Sequence, residues 1–453
     1  MPSPEMIIAL ERRLTQTRGL FTCGTETKPN GEVCVVFTNA PRDLVAIFQN
    51  ALSTDCSAVI CSGEWGQFTK QIIFARAAKL RFFLQQEFRV RTGDRIAISL
   101  CNRPEFLFAF VAVTSLGATA VLVDQRNRDN ELSCANEAGC KLIISETPAL
   151  HEQRHNDEDR PVIISQISAG MPQNSRSLAE IVKGANIEVL PLVPVAPDVD
   201  GIIVFTSERG DHPKGAILSH HAIVTGVINS MLANVLATAG TTLPVSNLSP
   251  HPPTLLLSAL SSFSGLSEFL QQALVGGRLV LRKFNAPTPV ATLIQQENIG
   301  SIIGATEEVA RELVEAVTHH NFGSLKKLDL GCTELSCKSV QDLRKAAPSA
   351  VISRSFGLEE TAGVICSLAG ESILDVPRTF GRVLPTVEIK ITDAEHNRIA
   401  DGQVGEIWVR GTMLFRDYLT PYTADFRDGW FNTGKKGILT TDRLLAIADS
   451  PKH

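Results

Sequence analysis

Apolar residues recur along this chain with two periods, and the switches between them mark its elements. Residues 69–92 carry apolar positions at helical spacing. The Thr92-Gly93-Asp94 turn then stops the run, and Ile96, Ile98 and Leu100 alternate as a strand. Pro104 near the start and Gly117 at the end bracket a second predicted helix, PEFLFAFVAVTSLG. ATAVLVD (118–124) and CKLIISE (140–146) follow as strands. Strands alternating with helices predict a mostly parallel sheet covered on both faces. Residues 151–200 are more polar and end in PLVPVAPDVD, so they read as a connecting stretch. GIIVFTS (201–207) is an apolar strand running into a loop, and HHAIVTGVINSMLANVLA (220–237) is a helix. A second βα series continues through the segments 276–284, 300–305, 326–332 and 350–357. Beyond about residue 377, VEIKITD, GQVGEIWVRG and GILTTDRLLAIA are short alternating strands with glycine turns, as in a small antiparallel sheet or barrel. The expected fold class is therefore α/β: a first α/β subdomain over residues 1–200, a second over 201–376, and a small antiparallel β-barrel-like subdomain over 377–453.

Composition narrows the picture further. At ~150 residues per domain the 453-residue length fits about three units. With 44% hydrophobic and 20% charged residues, the chain matches a globular protein rather than a disordered one. The net charge is -5 and no block of like charge appears, which argues against a nucleic-acid partner. The longest apolar stretch, 107–123, is interrupted by Thr, Ser and Gly and falls short of the ~20 residues a membrane span needs. Glu5 and Glu11 stand where a signal peptide carries positive charge. The ten cysteines are scattered without a zinc spacing, so they read as reduced and structural, in a cytoplasmic protein. The pairs His220-His221 and His319-His320 are adjacent in sequence and do not share a helix face, which makes chelation by either pair poor.

The chemistry-bearing stretch is Thr206-Ser207-Glu208-Arg209-Gly210-Asp211-His212-Pro213-Lys214-Gly215. A strand, a loop of turn residues and a helix make the outline of a phosphate cradle, in which successive backbone N–H groups bind an anion. The chain continues Ala216-Ile217-Leu218-Ser219-His220. Further blocks are Phe356-Gly357-Leu358-Glu359-Glu360-Thr361-Ala362-Gly363, Gly381-Arg382-Val383-Leu384-Pro385-Thr386-Val387-Glu388, Gly-Glu-Ile-Trp-Val-Arg-Gly at 405–411, and Asp428-Gly429-Trp430-Phe431-Asn432-Thr433-Gly434-Lys435. In this order they resemble the adenylate-forming superfamily of AMP-dependent synthetases and ligases, and within it the acyl-CoA synthetases. The resemblance runs from about residue 65 to the end.

That resemblance implies a two-step reaction: a carboxylate attacks the α-phosphorus of ATP, and a thiol such as coenzyme A then takes the acyl group. It implies nucleotide positions at Thr206, Ser207, Lys214 and Gly357, with Glu360 as the Mg²⁺ ligand, and an acyl pocket at Ser262, Phe263, Gly331, Phe356 and Ala362. Ser262 replaces the family's histidine. Departures cluster on the ATP site. Glu208 and Asp211 replace loop glycines, Glu359 replaces a phosphate-binding threonine as an added negative group, and Lys435 replaces the ribose-binding aspartate and cannot accept a hydrogen bond. The family's hinge aligns with the final residues 449–453, so the mobile C-terminal domain is expected to be absent. Taken alone, Lys214 is equally a solvated lysine at a helix start, whereas for Glu359-Glu360 an acid/base pair is a weaker reading than a relict metal ligand beside its drifted neighbour.

The expected protein is therefore an acyl-CoA synthetase-like chain that has lost adenylation. It keeps a pocket for a small carboxylic acid or acyl thioester, for binding or for an ATP-independent conversion, and no cofactor is expected. One alternative is an ATP-dependent acid–CoA ligase using ATP, Mg²⁺ and coenzyme A, with its C-terminal domain supplied in trans. Another is a scaffold that forms a homodimer or pairs with a full-length relative.

Overall fold

The computed structural model describes residues 4–27, 31–125, 131–146, 160–165, 175–184, 192–206, 213–238, 252–283, 286–333, 335–376 and 378–448. Ser207, Glu208, Asp211 and the 449–453 hinge lie outside the described residues.

Two large sheets organise the chain. The first has seven strands in the order Gly215–Ser219, Asp200–Phe205, Thr119–Leu122, Arg95–Ser99, Leu142–Ser145, Val162–Ile164 and Ser175–Ser177. All neighbours are parallel except the edge pair Asp200–Phe205 and Gly215–Ser219. The stretch expected only to connect thus supplies two three-residue strands and the short helix Leu178–Val182. They are too short for a periodicity to register.

The second sheet joins both textures expected from the sequence. Val59–Gly63, Leu279–Leu281, Thr254–Leu256, Ser301–Ile303, Lys327–Asp329 and Val351–Leu358 run parallel. Val351–Leu358 is the pivot. Its first residues pair parallel with Lys327–Asp329, and from Ser353 onward it pairs antiparallel with Gly363–Ala369. Antiparallel pairing then continues through Thr379–Val383, Leu444–Ile447, Trp430–Leu439, Gly405–Arg410 and Glu388–Thr392.

Strand order does not follow chain order. Val59–Gly63 and Gly66–Thr69 close the far edge of the second sheet, while Asp200–Phe205 and Gly215–Ser219 belong to the first. The exchange is pinned by Arg278 Nη1, which donates to Ser62 Oγ at 2.8 Å across 216 residues.

Helices start where their caps allow. Thr69, Ser219 and Ser262 each accept a backbone N–H from the first turn of the helices Lys70–Glu87, His220–Ala237 and Phe263–Val275. His220–Ala237 is apolar on nearly every side and accordingly buried nearly all round. His220 proves structural: buried, with its Nδ1 accepting from Leu44 N at 3.3 Å and its pKa pulled down to about 4 by burial. Among the described residues no helix is long and apolar enough to cross a membrane.

Candidate functional site

A cavity of about 1080 Å³ opens among the described residues. It lies beside the ends of Lys327–Asp329 and Val351–Leu358, between the helices His220–Ala237 and Phe263–Val275, and is bordered by the segment 431–435. Such a crevice at strand ends is where open α/β sheets place ligands.

At one end stand Thr206 and Lys214. Thr206 N donates to Lys214 O at 3.0 Å, and Lys214 N donates to Thr206 Oγ1 at 3.1 Å, so the two arms are clamped together. Lys214 Nζ lies 5.6 Å from the ring centroid of Tyr418 and 5.7 Å from that of Tyr422. Tyr418 in turn donates its hydroxyl to Glu360 Oε1 at 2.6 Å. Lysine, tyrosine and glutamate therefore form one chain of contacts across the cleft. Sequence reasoning missed both tyrosines. Their rarity was the available signal: the chain holds 2, and both face Lys214.

Glu359 departs from what was expected of it. Its Oε2 accepts from Phe263 N at 2.9 Å, at the start of the helix Phe263–Val275. The side chain borders the cavity and keeps some accessible surface there, yet protein surrounds it. Burial is the main cause of a pKa raised to about 8; the Phe263 N–H opposes this and the neighbouring Glu360 adds to it. At neutral pH Glu359 is thus a neutral acid rather than an added negative charge.

The sign of the linkage follows from that raised value. The fold favours the protonated form, so its stabilisation is complete near pH 4.5 and is lost as pH rises towards 8. Between pH 5 and 8 the native chain should lose about 1–3 kcal/mol relative to a Glu359→Gln variant. Denaturant melts of both proteins across that range check this, and parallel curves would refute it.

The other site residues divide between wall and support. Phe263, Gly331, Gly357, Glu360 and Lys435 line the cavity. Ser262, Phe356 and Ala362, expected in the acyl wall, stand behind it. Ser262 caps its helix by accepting from Gly265 N, and donates to Ala259 O at 2.8 Å. The Phe356 ring packs on Phe380 with centroids 5.6 Å apart. Ala362 is buried at φ 45 against the backbone of Gly226. Near Lys435, the carboxylate of Asp425 is already engaged by Asn432 Nδ2 at 3.2 Å and by Arg427 Nε at 3.3 Å. Among the described residues no group of three or more His, Cys, Asp or Glu could hold a metal ion.

Comparison with known proteins places this geometry. A family model described as AMP-binding enzyme matches residues 48–419. The 4-coumarate–CoA ligase of Vanilla planifolia is 26% identical over 384 residues, covering 80% of this chain and 67% of that one. The 2-succinylbenzoate–CoA ligase of Bacillus licheniformis is 26% identical over 371 residues, covering 80% of this chain and 70% of that one. Among solved structures, the unliganded O-succinylbenzoate coenzyme A synthetase of Bacillus subtilis superposes with a TM-score of 0.72 at 21% identity, over 89% of this chain and 81% of that one. A long-chain-fatty-acid–CoA ligase from Archaeoglobus fulgidus gives 0.74 at 19% identity, over 91% and 85%. These structural likenesses establish the shared fold.

Proposed function

The chain belongs to the AMP-binding enzyme family, and from that premise we propose that it is an acyl-CoA synthetase-like protein that no longer forms acyl-adenylates. Its cavity is kept for a small carboxylic acid or acyl thioester. The observation that carries this reading is the place of Glu359. Its carboxyl group already takes the Phe263 N–H that opens a 13-residue helix, the kind of donor a phosphate would use. At the other side of the cleft, Lys435 offers no acceptor to a ribose, and the nearby Asp425 is committed to Asn432 and Arg427.

The described residues therefore fit a nucleoside triphosphate poorly. Glu360, the Mg²⁺ position implied by family resemblance, already accepts from Tyr418. What remains suits an acid. Lys214 supplies a positive charge held by two aromatic rings, and neutral Glu359 can face a carboxylate without repelling it. Ten free thiols, five of them buried, support a cytoplasmic setting.

A calorimetric titration with Mg-ATP tests the proposal. No heat of binding is expected up to millimolar nucleotide at neutral pH. Micromolar binding would overturn the reading. It would favour the ligase alternative, with ATP, Mg²⁺ and coenzyme A as cofactors and a C-terminal domain supplied in trans. In favour of that alternative, Thr206, Lys214 and Glu360 still share one cleft.

A further inference from the structure

The floor of the cavity is built from polar side chains that lie well away from the Lys214 end. Ser267, Glu268 and Gln271 project from the helix Phe263–Val275 and are only 2%, 4% and 6% exposed, yet all three line the cavity. Asn234 of the facing helix donates its Nδ2 to Gln271 Oε1 at 2.9 Å, and Gln271 Nε2 donates to Ser267 Oγ at 3.2 Å. Glu268 Oε1 accepts from Gln272 Nε2 at 2.6 Å. Lys327 donates to Asn234 Oδ1 and lies 3.4 Å from Asp329 Oδ2. Asp329 also accepts from Gly331 N at 2.7 Å and from the Ser353 hydroxyl at 3.1 Å.

An ordinary hydrocarbon pocket is not built this way. The hydrogen-bonding capacity these groups leave unused among themselves would face an alkyl chain with neither water nor a partner, which is unfavourable. The charge count points the same way. Two carboxyl groups, Glu268 and Asp329, share one lysine, Lys327, while Arg354, which also borders the cavity, turns its guanidinium to the Phe380 ring and the Val376 carbonyl. Burial pushes the Glu268 carboxyl up and Lys327 pulls it back only in part, as expected of an acid short of a cationic neighbour.

We propose that the acid taken up here carries a hydrogen-bond donor, an ammonium or a hydroxyl group, at the end remote from its carboxylate. This rests on the acid-binding reading above. Helix geometry sets the reach. At ~1.5 Å per residue, Ser267 and Glu268 lie about 6–8 Å beyond Phe263 along the axis, and Gln271 about 12 Å. An acid anchored near Glu359 and Lys214 thus needs a tail of roughly that length to meet the floor. Sites built to hydrogen-bond a substrate group discriminate sharply against the analogue that lacks it.

The test is calorimetric titration of the full chain, without nucleotide, at neutral pH with three acids of matched length: 6-aminohexanoate, 6-hydroxyhexanoate and heptanoate. At least one donor acid should bind tenfold or more tighter than heptanoate, the amino acid leading if Glu268 is ionised with it bound. Glu268→Gln should remove the lead of the amino over the hydroxy acid, and Gln271→Leu should shrink the preference of both over heptanoate. A ratio to heptanoate below tenfold for both donor acids overturns the proposal and leaves acid binding standing. A preference unchanged in both variants, with native circular dichroism, also overturns it, because the tail would then be read elsewhere. Failure of all three acids to bind removes the acid-binding reading and the proposal together.

Discussion

A chain carrying Glu359→Thr and Lys435→Asp together should bind Mg-ATP at least tenfold more tightly than the native protein. The two changes act at opposite sides of the cleft. Removing the Glu359 side chain frees the Phe263 N–H, which now donates to Glu359 Oε2 at 2.9 Å. Charge-assisted donation from a helix N-terminus to an anion is among the stronger hydrogen bonds a protein makes. Converting Lys435 to aspartate supplies an acceptor pair where a sugar's hydroxyls need one. A tenfold gain corresponds to about 1.4 kcal/mol, a modest demand on two restored contacts. Calorimetric titration of the double variant against each single variant measures it. An unchanged affinity in a folded double variant would move the block from these two positions to the segment that carries Glu208 and Asp211.

Gly226→Ala should destabilise the fold by about 2–4 kcal/mol, among the larger effects a single methyl produces. A Cβ at this position would stand 2.1 Å from Ala362 O, 2.7 Å from Ala362 Cβ and 2.9 Å from Phe263 Cζ. None of these can yield cheaply. Ala362 ends the tight turn Glu359–Thr361, which the Thr361 hydroxyl holds by donating to Gly363 O at 2.7 Å. Phe263 is fully buried at the head of its helix. Because the same turn carries Glu359 and Glu360, loss of stability should come with loss of ligand binding. Thermal melts should show a fall of several degrees. Gly19→Ala, at an exposed position whose nearest other atom is 3.9 Å away, serves as the control with little change. Equal melting of the two variants would show that the helix can shift to make room.

Much of this molecule is legible in its order of residues. The helices Lys70–Glu87, Pro104–Thr114 and His220–Ala237 and the strands between them follow from apolar spacing, caps and turns, because those signals are local. Placing Lys214, Glu360 and Lys435 at one cleft followed from motif resemblance. Three things were not legible. The exchange of strands between sheets depends on pairings more than 200 residues apart, which leave no periodic trace. The polar floor was hidden because Ser267, Glu268 and Gln271 look like the solvated face of an ordinary helix until the helix His220–Ala237 covers them. The protonation of Glu359 depends on burial, which no spacing encodes.

The strand exchange has a consequence for how this protein comes into being. Val59–Gly63 leaves the ribosome early, but its sheet partner Leu279–Leu281 does not. At roughly 5–20 residues per second, that apolar strand waits on the order of ten seconds or more for its neighbour. Throughout that interval a β-edge rich in apolar side chains is open to other chains. Production of this protein should therefore be limited less by the strength of its finished core than by the time the hairpin of Val59–Gly63 and Gly66–Thr69 spends with one edge unpaired.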